Sequence, residues 1–319
     1  MKTLKLKPEA KLRWKDYLKF SHKMLETKDI DPVYPVLQEL NKGLMMDEQE
    51  FWLSFLYVAW YNLPVGLTAY TKCPEPDLRI LPKIDWSWPT GIERRANRGG
   101  KVVFHIESYL KTVAEYGDQY VFYTKDLDFS KQADPEQNWR IINTRLQTLH
   151  LNGRWAAYKH CEILRRVHGL PILAPDMGNA FSSGPRQGLA LFYGEVEGNS
   201  PAAIELLDEQ ALDLQARMAK WGVEVDIEEL ETLMCNWKSL VNGKYYIGHD
   251  IDELLEQMHV GQERGWLSTI NQAVLEKARR DSLPNEYLGE IRGWHGVDRR
   301  RMRAYKDRGR LLIRRRPDA

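Results

Sequence analysis

Cysteine is scarce in this chain. Cys73, Cys161 and Cys235 are the only thiols in 319 residues, odd in number and far apart. That pattern excludes a disulfide framework, a zinc knuckle and a four-cysteine iron–sulfur cluster, and it fits a reducing compartment. Long apolar runs are missing too. None approaches the ~20 residues needed to cross a bilayer, and the opening MKTLKLKPEAK lacks the apolar stretch of a secretory leader. A cytoplasmic location without membrane association is therefore expected. No internal repeat or low-complexity linker is present, and the proline-rich stretch 74–92 reads as a long crossing loop. Strand-forming segments are few. The best, residues 188–196 (GLALFYGEV), supports at most a small β-hairpin.

What is present is ample core material, 43% apolar residues, and an uneven charge. The net charge is only +1, yet residues 292–316 hold eleven Lys/Arg against two acids, about +9, which leaves the body mildly acidic. A cationic tail on a near-neutral body suits a phosphate backbone held without sequence readout. The alternative is a solvated helix pairing with the acidic body. The expected organisation is one α-helical domain over residues 1–291 and a basic C-terminal tail over 292–319.

Helical periodicity runs through residues 9–27, 32–42, 102–115 and 135–149. Residues 48–61 (EQEFWLSFLYVAWY) are apolar on nearly every side, which predicts a buried central helix stopping before Pro64. Ser200-Pro201 marks a helix start, and that helix should end at Gly222. Shorter helices are predicted at 226–240, 250–260 and 266–280. The fold class is mainly α.

Several stretches carry side chains suited to chemistry. In residues 94–101 (RRANRGGK), Arg94, Arg95, Arg98 and Lys101 surround Gly99-Gly100 just before a helix, an arrangement that suits phosphates although it is not a Walker loop. Such a loop is also common as plain surface. His105 and Tyr109 follow on one helix face, as pocket residues or as ordinary structural ones. Tyr57, Trp60, Tyr61 and Asn62 end the apolar helix, where aromatic faces can sandwich a base and an amide can read its edge; core packing is the alternative. Glu231, Cys235 and Lys238 share a face at i, i+4 and i+7. Tyr245, Tyr246, Asp250 and Asp252 come after the turn at Asn242-Gly243. Asp250 suits a helix cap, and paired carboxylates here can also hold Mg²⁺ beside a phosphate.

Residues 152–179 (NGRWAAYKHCEILRRVHGLPILAPDMGN) give a glycine turn, a helix, a break at Gly169 and Pro171, and then Asp176. Gly153 is expected to take a left-handed backbone at the turn. The order resembles the helix-hairpin-helix core of the DNA glycosylase superfamily, in which the aspartate lies beside an extruded nucleotide. Lyase-type glycosylases place a lysine two residues after the hairpin glycine; here Trp155 stands there, which argues against Schiff-base strand cleavage.

Four stretches together, FWLSFLYVAWYNLP, ERRANRGGK with ESY, NGRW…LPILAPD and ETLMCNWK…KYYIGHDID, resemble the amino acid:DNA transferases of bacteriophages. These are also called α-glutamyl/putrescinyl-thymine pyrophosphorylases. The resemblance covers about residues 48–260 and implies a helix-hairpin-helix, glycosylase-like fold. It implies an enzyme that replaces the pyrophosphate of 5-pyrophosphoryloxymethyluracil in double-stranded phage DNA with the amine of a free amino acid or polyamine. A separate kinase acting on 5-hydroxymethyluracil would supply the activated base, and the compartment would be the host cytoplasm.

Under this resemblance, Arg94, Arg95, Arg98 and Lys101 stabilise departing pyrophosphate, with Mg²⁺ as the one cofactor suggested. Asp176 or Glu231 takes the proton of the incoming amine, and Arg154 or Lys238 holds a donor carboxylate. Cys235 is a candidate for transient addition to the pyrimidine ring. Tyr57, Tyr61, Asn62, His105, Tyr109, Asn152, Trp155, Tyr246 and Asp250 complete the expected substrate-binding set. Two other readings stay open: a monofunctional glycosylase using the hairpin and Asp176, and a non-enzymatic DNA-binding protein using the basic tail.

Overall fold

Short polar side chains punctuate this chain into helices. Asn62, Asp118, Asp134, Ser200, Asp226, Ser268 and Asp298 each accept a backbone N–H at the head of a helix that would otherwise leave its first donors unpaired. The computed structural model describes residues 3–44, 47–85, 87–91, 99–289 and 296–315. In chain order the helices are α1 (Pro8–Thr27), α2 (Val33–Asn41), α3 (Asp47–Trp60), α4 (Leu63–Lys72), α5 (Val102–Tyr116), α6 (Gln119–Thr124) and α7 (Pro135–Gln147). They continue as α8 (Arg154–Arg166), α9 (Ser183–Tyr193), α10 (Pro201–Ala219), α11 (Ile227–Val241), α12 (His249–Glu263), α13 (Thr269–Ser282) and α14 (Arg299–Arg308). The fold is mainly α, as the periodicity predicts. The one β feature among the described residues is an isolated parallel bridge between Ile247 and Ile313. No described helix is long and apolar enough to cross a membrane.

The helices pack into two compact units. The first comprises Met1–Pro32, Pro175–Glu253 and Pro284–Ala319. Its core is built from Tyr17 and Phe20 of α1, Leu189 and Phe192 of α9, Leu214 of α10 and Trp237 of α11. The Tyr17 ring meets Phe192 edge-on at 4.7 Å and Trp237 at 5.3 Å, the geometry that aromatic quadrupoles favour. Tyr305 brings α14 into this core, with its ring 5.3 Å from Trp237 and its hydroxyl donating to Asp16 of α1 at 3.1 Å.

The second unit comprises Val33–Ala174 and Leu254–Leu283. Every residue of α3 from Phe51 to Trp60 is buried, so the helix that reads as apolar on all sides is indeed central. Phe55 stacks on Tyr109 of α5 at 3.5 Å and 9°. A polar chain runs through this core: Tyr109 donates to Gln119 at 2.6 Å and contacts the Tyr123 hydroxyl at 2.8 Å, and Tyr123 meets His160 Nε2 at 3.1 Å.

The strand expectation is corrected. Residues 188–196 do not form a β-hairpin, because residues up to Tyr193 belong to α9. Pro185, Gly188, Leu189 and Phe192 are its buried positions, an i, i+3, i+4, i+7 stripe that outweighs the strand-like composition. The two glycines of α9 meet α11 closely. A Cβ at 188 would lie 2.5 Å from the Met234 carbonyl oxygen, and one at 184 would lie 2.5 Å from Cys235 Sγ.

Two expectations follow. Gly188→Val should lower stability by at least about 1–3 kcal/mol, since the obstacle is backbone. Gly100→Ala, which has open space around it, serves as the control. Thermal melts that place Gly188→Val level with wild type would remove the close crossing. The second concerns acid. Burial holds the His168 pKa down at about 4 from an ordinary 6.5, and the neutral ring contacts Ser54 Oγ at 2.9 Å. The stability this contributes is present above pH 6.5 and is lost as pH falls toward 4, by up to about 3 kcal/mol. Urea unfolding at pH 7 and pH 4.5 should show a smaller acid penalty in His168→Gln; equal penalties would exclude the effect.

Candidate active-site residues

The hairpin segment lies in the second unit. Helix α7, the turn at 148–153 and α8 follow one another as a helix-hairpin-helix succession. The left-handed residue of that turn is Leu151 (φ 62°), whereas Gly153 is extended (φ −64°, ψ 173°) and N-caps α8. The expected role of Gly153 is thus taken two residues earlier. Asn152 is buried and its Nδ2 donates to the Leu146 carbonyl at 2.9 Å, fastening the turn to α7.

Three residues singled out in the sequence come together here. Tyr57 stacks with Tyr61 at 5.2 Å, and Tyr61 meets Trp155 edge-on at 5.1 Å. Tyr61 has φ 51°, uncommon for a bulky residue, at the break between α3 and α4. Tyr57 is buried while Tyr61 and Trp155 are partly exposed, and Arg154 is exposed next to them in sequence. Such a cluster offers π-faces to a base.

Others are placed differently. Asn62 is buried and its Oδ1 accepts the Val65 N–H as the α4 cap. His105 and Tyr109 do share a face, but both are fully buried, with His105 Nδ1 2.8 Å from the His150 carbonyl. Lys101 is exposed at the head of α5. Arg94, Arg95 and Arg98 lie outside the described residues. A group that sequence reading missed sits on α8: Lys159 and Glu162 form a buried ion pair at 2.8 Å, and Tyr34 donates to Glu162 at 2.9 Å. Their i, i+3 spacing was the available signal.

The first unit holds the remaining candidates. Asp176 Oδ1 accepts the Gly178 N–H at 2.6 Å in a tight turn, and Gly178 is left-handed at φ 69°. A Cβ on Gly178 would strike the Phe181 ring at 2.6 Å, so the glycine lets Phe181 fold back over the turn. The next residue, Asn179, is fully buried and donates from Nδ2 to Asp208 at 2.8 Å. Burial raises the Asp208 carboxyl above its ordinary range; the Asn179 hydrogen bond opposes this and the Asp176 charge adds to it. On α11, Cys235 Sγ is 3.5 Å from Glu231 Oε1, as the i, i+4 spacing predicts. Lys238, one turn on, lines a groove of about 630 Å³ together with Asn179, Phe181, Ser183, Arg186 and Glu195.

The polar stretch after α11 is organised by a residue far away in sequence. Asp29 accepts the N–H groups of Gly248 (2.7 Å), Asp250 (3.0 Å) and Ile251 (3.0 Å) and the Tyr245 hydroxyl (2.8 Å). It therefore caps α12 in place of Asp250. Burial and the neighbouring Asp250 carboxylate push its carboxyl well above the usual range, against the pull of those donors. Tyr246 is buried and donates to Asp252 at 2.6 Å, and Arg314 pairs with Asp252 at 3.2 Å. Asp250 instead meets His249 Nδ1 at 2.8 Å. Burial works against charging His249, but the hydrogen bond and charge of Asp250 outweigh it and raise the imidazole to about 9. The carboxylates of Asp250 and Asp252 thus have separate partners. A metal-compatible set is His249, Asp250 and Glu253, whose ligand atoms lie within 4.8 Å of one another; a cation there competes with the imidazole proton.

Comparison with known proteins joins these observations. A family model described as amino acid:DNA transferase matches residues 79–246, just over half of the chain. The matched region includes the hairpin, the Asp176 turn, α9 and the Glu231–Cys235–Lys238 face. A glycinyltransferase of Pseudomonas phage PaMx11 is 24% identical over 274 residues, covering 74% of this chain and 88% of the phage protein. The chain belongs to the amino acid:DNA transferase family and is a transferase that acts on DNA.

Proposed function

We propose that the enzyme acts on a thymine-derived base, 5-pyrophosphoryloxymethyluracil in duplex DNA, and replaces its pyrophosphate with the amine of a free amino acid. The family match spanning the hairpin, Asp176 and α11 carries this reading. The amine nitrogen attacks the exocyclic methylene carbon and a C–N bond forms. The C–O bond to pyrophosphate breaks with its electron pair leaving on oxygen, and the nitrogen gives up a proton to a base. The glycosidic bond is untouched. Asp176 is the favoured base and Glu231 the second candidate. The phage relative's name makes glycine the first donor to try, with serine, glutamate and putrescine next.

The base must leave the helix to be reached. The Tyr57–Tyr61–Trp155 cluster supports stacking of an extruded pyrimidine. Arg94, Arg95, Arg98 and Lys101 are the cations assigned to pyrophosphate, and Mg²⁺ would assist its departure. The substrate requires prior phosphorylation of 5-hydroxymethyluracil by a kinase. Backbone phosphates are assigned to the basic C-terminal segment, whose α14 exposes Arg299, Arg300 and Arg303.

Incubating the protein with the pyrophosphorylated DNA and a mixture of amines, then weighing the nucleosides after digestion, tests the reaction. A nucleoside carrying one donor, with pyrophosphate released, is expected; abasic sites would instead indicate a glycosylase. Asp176→Asn should reduce turnover by about 10²-fold or more while DNA affinity stays near wild type, and undiminished turnover would take Asp176 out of the mechanism. Arg300→Gln with Arg303→Gln should make the dependence of log affinity on log salt shallower by about 2, with turnover at saturating DNA preserved. An unaltered slope would detach α14 from DNA.

A further inference from the structure

The groove of the first unit has no role in the reaction as drawn so far, yet its lining is specific. Its walls are the turn after Gly178, helix α9 with the loop that follows, Leu207 of α10, Lys238 and Asn242 from α11 and its end, and Lys7 just before α1. At about 630 Å³ it falls within the size range of small-molecule sites. Arg186 shapes one side: its guanidinium donates to Asn199 Oδ1 and to the carbonyls of Val196 (2.9 Å) and Gly198 (2.6 Å), so it fixes the loop rather than offering a free cation.

Asn179 is the informative residue. Its side chain is fully buried, and donation to Asp208 at 2.8 Å identifies Nδ2 and so fixes the orientation of the amide. The other end, Oδ1, is therefore an acceptor, and it has no hydrogen-bond partner among the described residues. A buried amide oxygen without a donor is costly, and because Asn179 also lines the groove, a ligand seated there can supply the missing N–H or O–H. Lys238 supplies the complementary charge; it forms no ion pair among the described residues and lines the same groove. Glu195 and Glu197 line it as well, so the groove offers both signs of charge. An acceptor paired with an ammonium suits a zwitterion better than a diamine or a phosphate.

We propose that this groove binds the donor α-amino acid, with Asn179 Oδ1 accepting from its amino group and Lys238 holding its carboxylate. This rests on the amine-transfer reading above. Asp208 positions Asn179 and does not itself touch the donor. Neither Asn179 nor a protonated Lys238 can accept a proton from the amine, so these two residues contribute affinity and orientation while deprotonation stays with the base.

The test is equilibrium dialysis of the full-length protein, without DNA, against radiolabelled glycine, serine, glutamate and putrescine. Saturable binding of an amino acid is expected, weakened tenfold or more in Asn179→Leu and in Lys238→Met. Circular dichroism melts check folding, and Lys238→Met, on a partly exposed helix position, keeps the test available if Asn179→Leu is unstable. Failure of the wild type to bind any amino acid at millimolar concentration overturns the groove. So does wild-type affinity in the folded variants. Preferential binding of putrescine that is indifferent to Lys238→Met likewise overturns the amino-acid assignment. The nucleoside-mass assay separates the two readings: amino-acid binding without transfer to DNA upholds the groove and removes the function. Transfer to DNA with an unchanged donor KM in both variants keeps the function and removes the groove.

Discussion

Helix α9 can cross α11 as closely as it does only because positions 184 and 188 carry no side chains. This single packing constraint sets much of the first unit. It buries Leu189 and Phe192 against Tyr17 and Trp237, and it aligns the exposed side of α9 with Lys238 to form the groove. The same logic governs the turn before α9, where Gly178 makes room for the Phe181 ring. Close approach at Gly178, Gly184 and Gly188 thus fixes a surface whose chemistry is carried by its neighbours. A larger residue at 188 would have to displace backbone rather than rotate a flexible side chain.

How much the sequence discloses depends on whether the cause is local. The buried α3 is legible because ten consecutive residues are core-like, and the Cys235–Glu231 contact because four residues make roughly one helical turn. Helix α9 is not legible in the same way. Its buried stripe includes Pro185 and Gly188, which a hydrophobicity count ignores, while GLALFY has the composition of a strand. Asp29 is harder still. It reads as a link residue between two helices, and its partners at 245–251 lie more than two hundred positions away. Asn179 gave no signal, since its significance lies in which end of a buried amide is left without a partner.

The buried carboxylates show why residue type alone overpredicts catalytic groups. Asp29 is committed to capping α12, Asp252 to Tyr246 and Arg314, and Glu162 to Lys159 and Tyr34. Each has full structural employment, and removing one partner from a buried ion pair costs about 3–5 kcal/mol. A proton acceptor that must cycle between charged and neutral forms is poorly served by such a setting. By exposure alone Asp176, at a partly exposed turn, is better placed than Glu231, which is buried on α11 with Cys235 and Thr232 beside it.

The chemistry sharpens this division of labour. An amine is bound most tightly as an ammonium, but only its neutral form attacks carbon, so affinity and reactivity ask for opposite protonation states. A carboxylate holding the donor would stabilise the unreactive form. An amide oxygen does so less, because it accepts a hydrogen bond without a full negative charge and can keep accepting one after the proton has gone. Asn179 backed by Asp208 has that character. Anchoring the donor through its carboxylate on Lys238 places the remaining binding energy on a group that does not react. Orientation can then be maintained while the nitrogen changes state, which is the condition under which donor binding aids the displacement instead of opposing it.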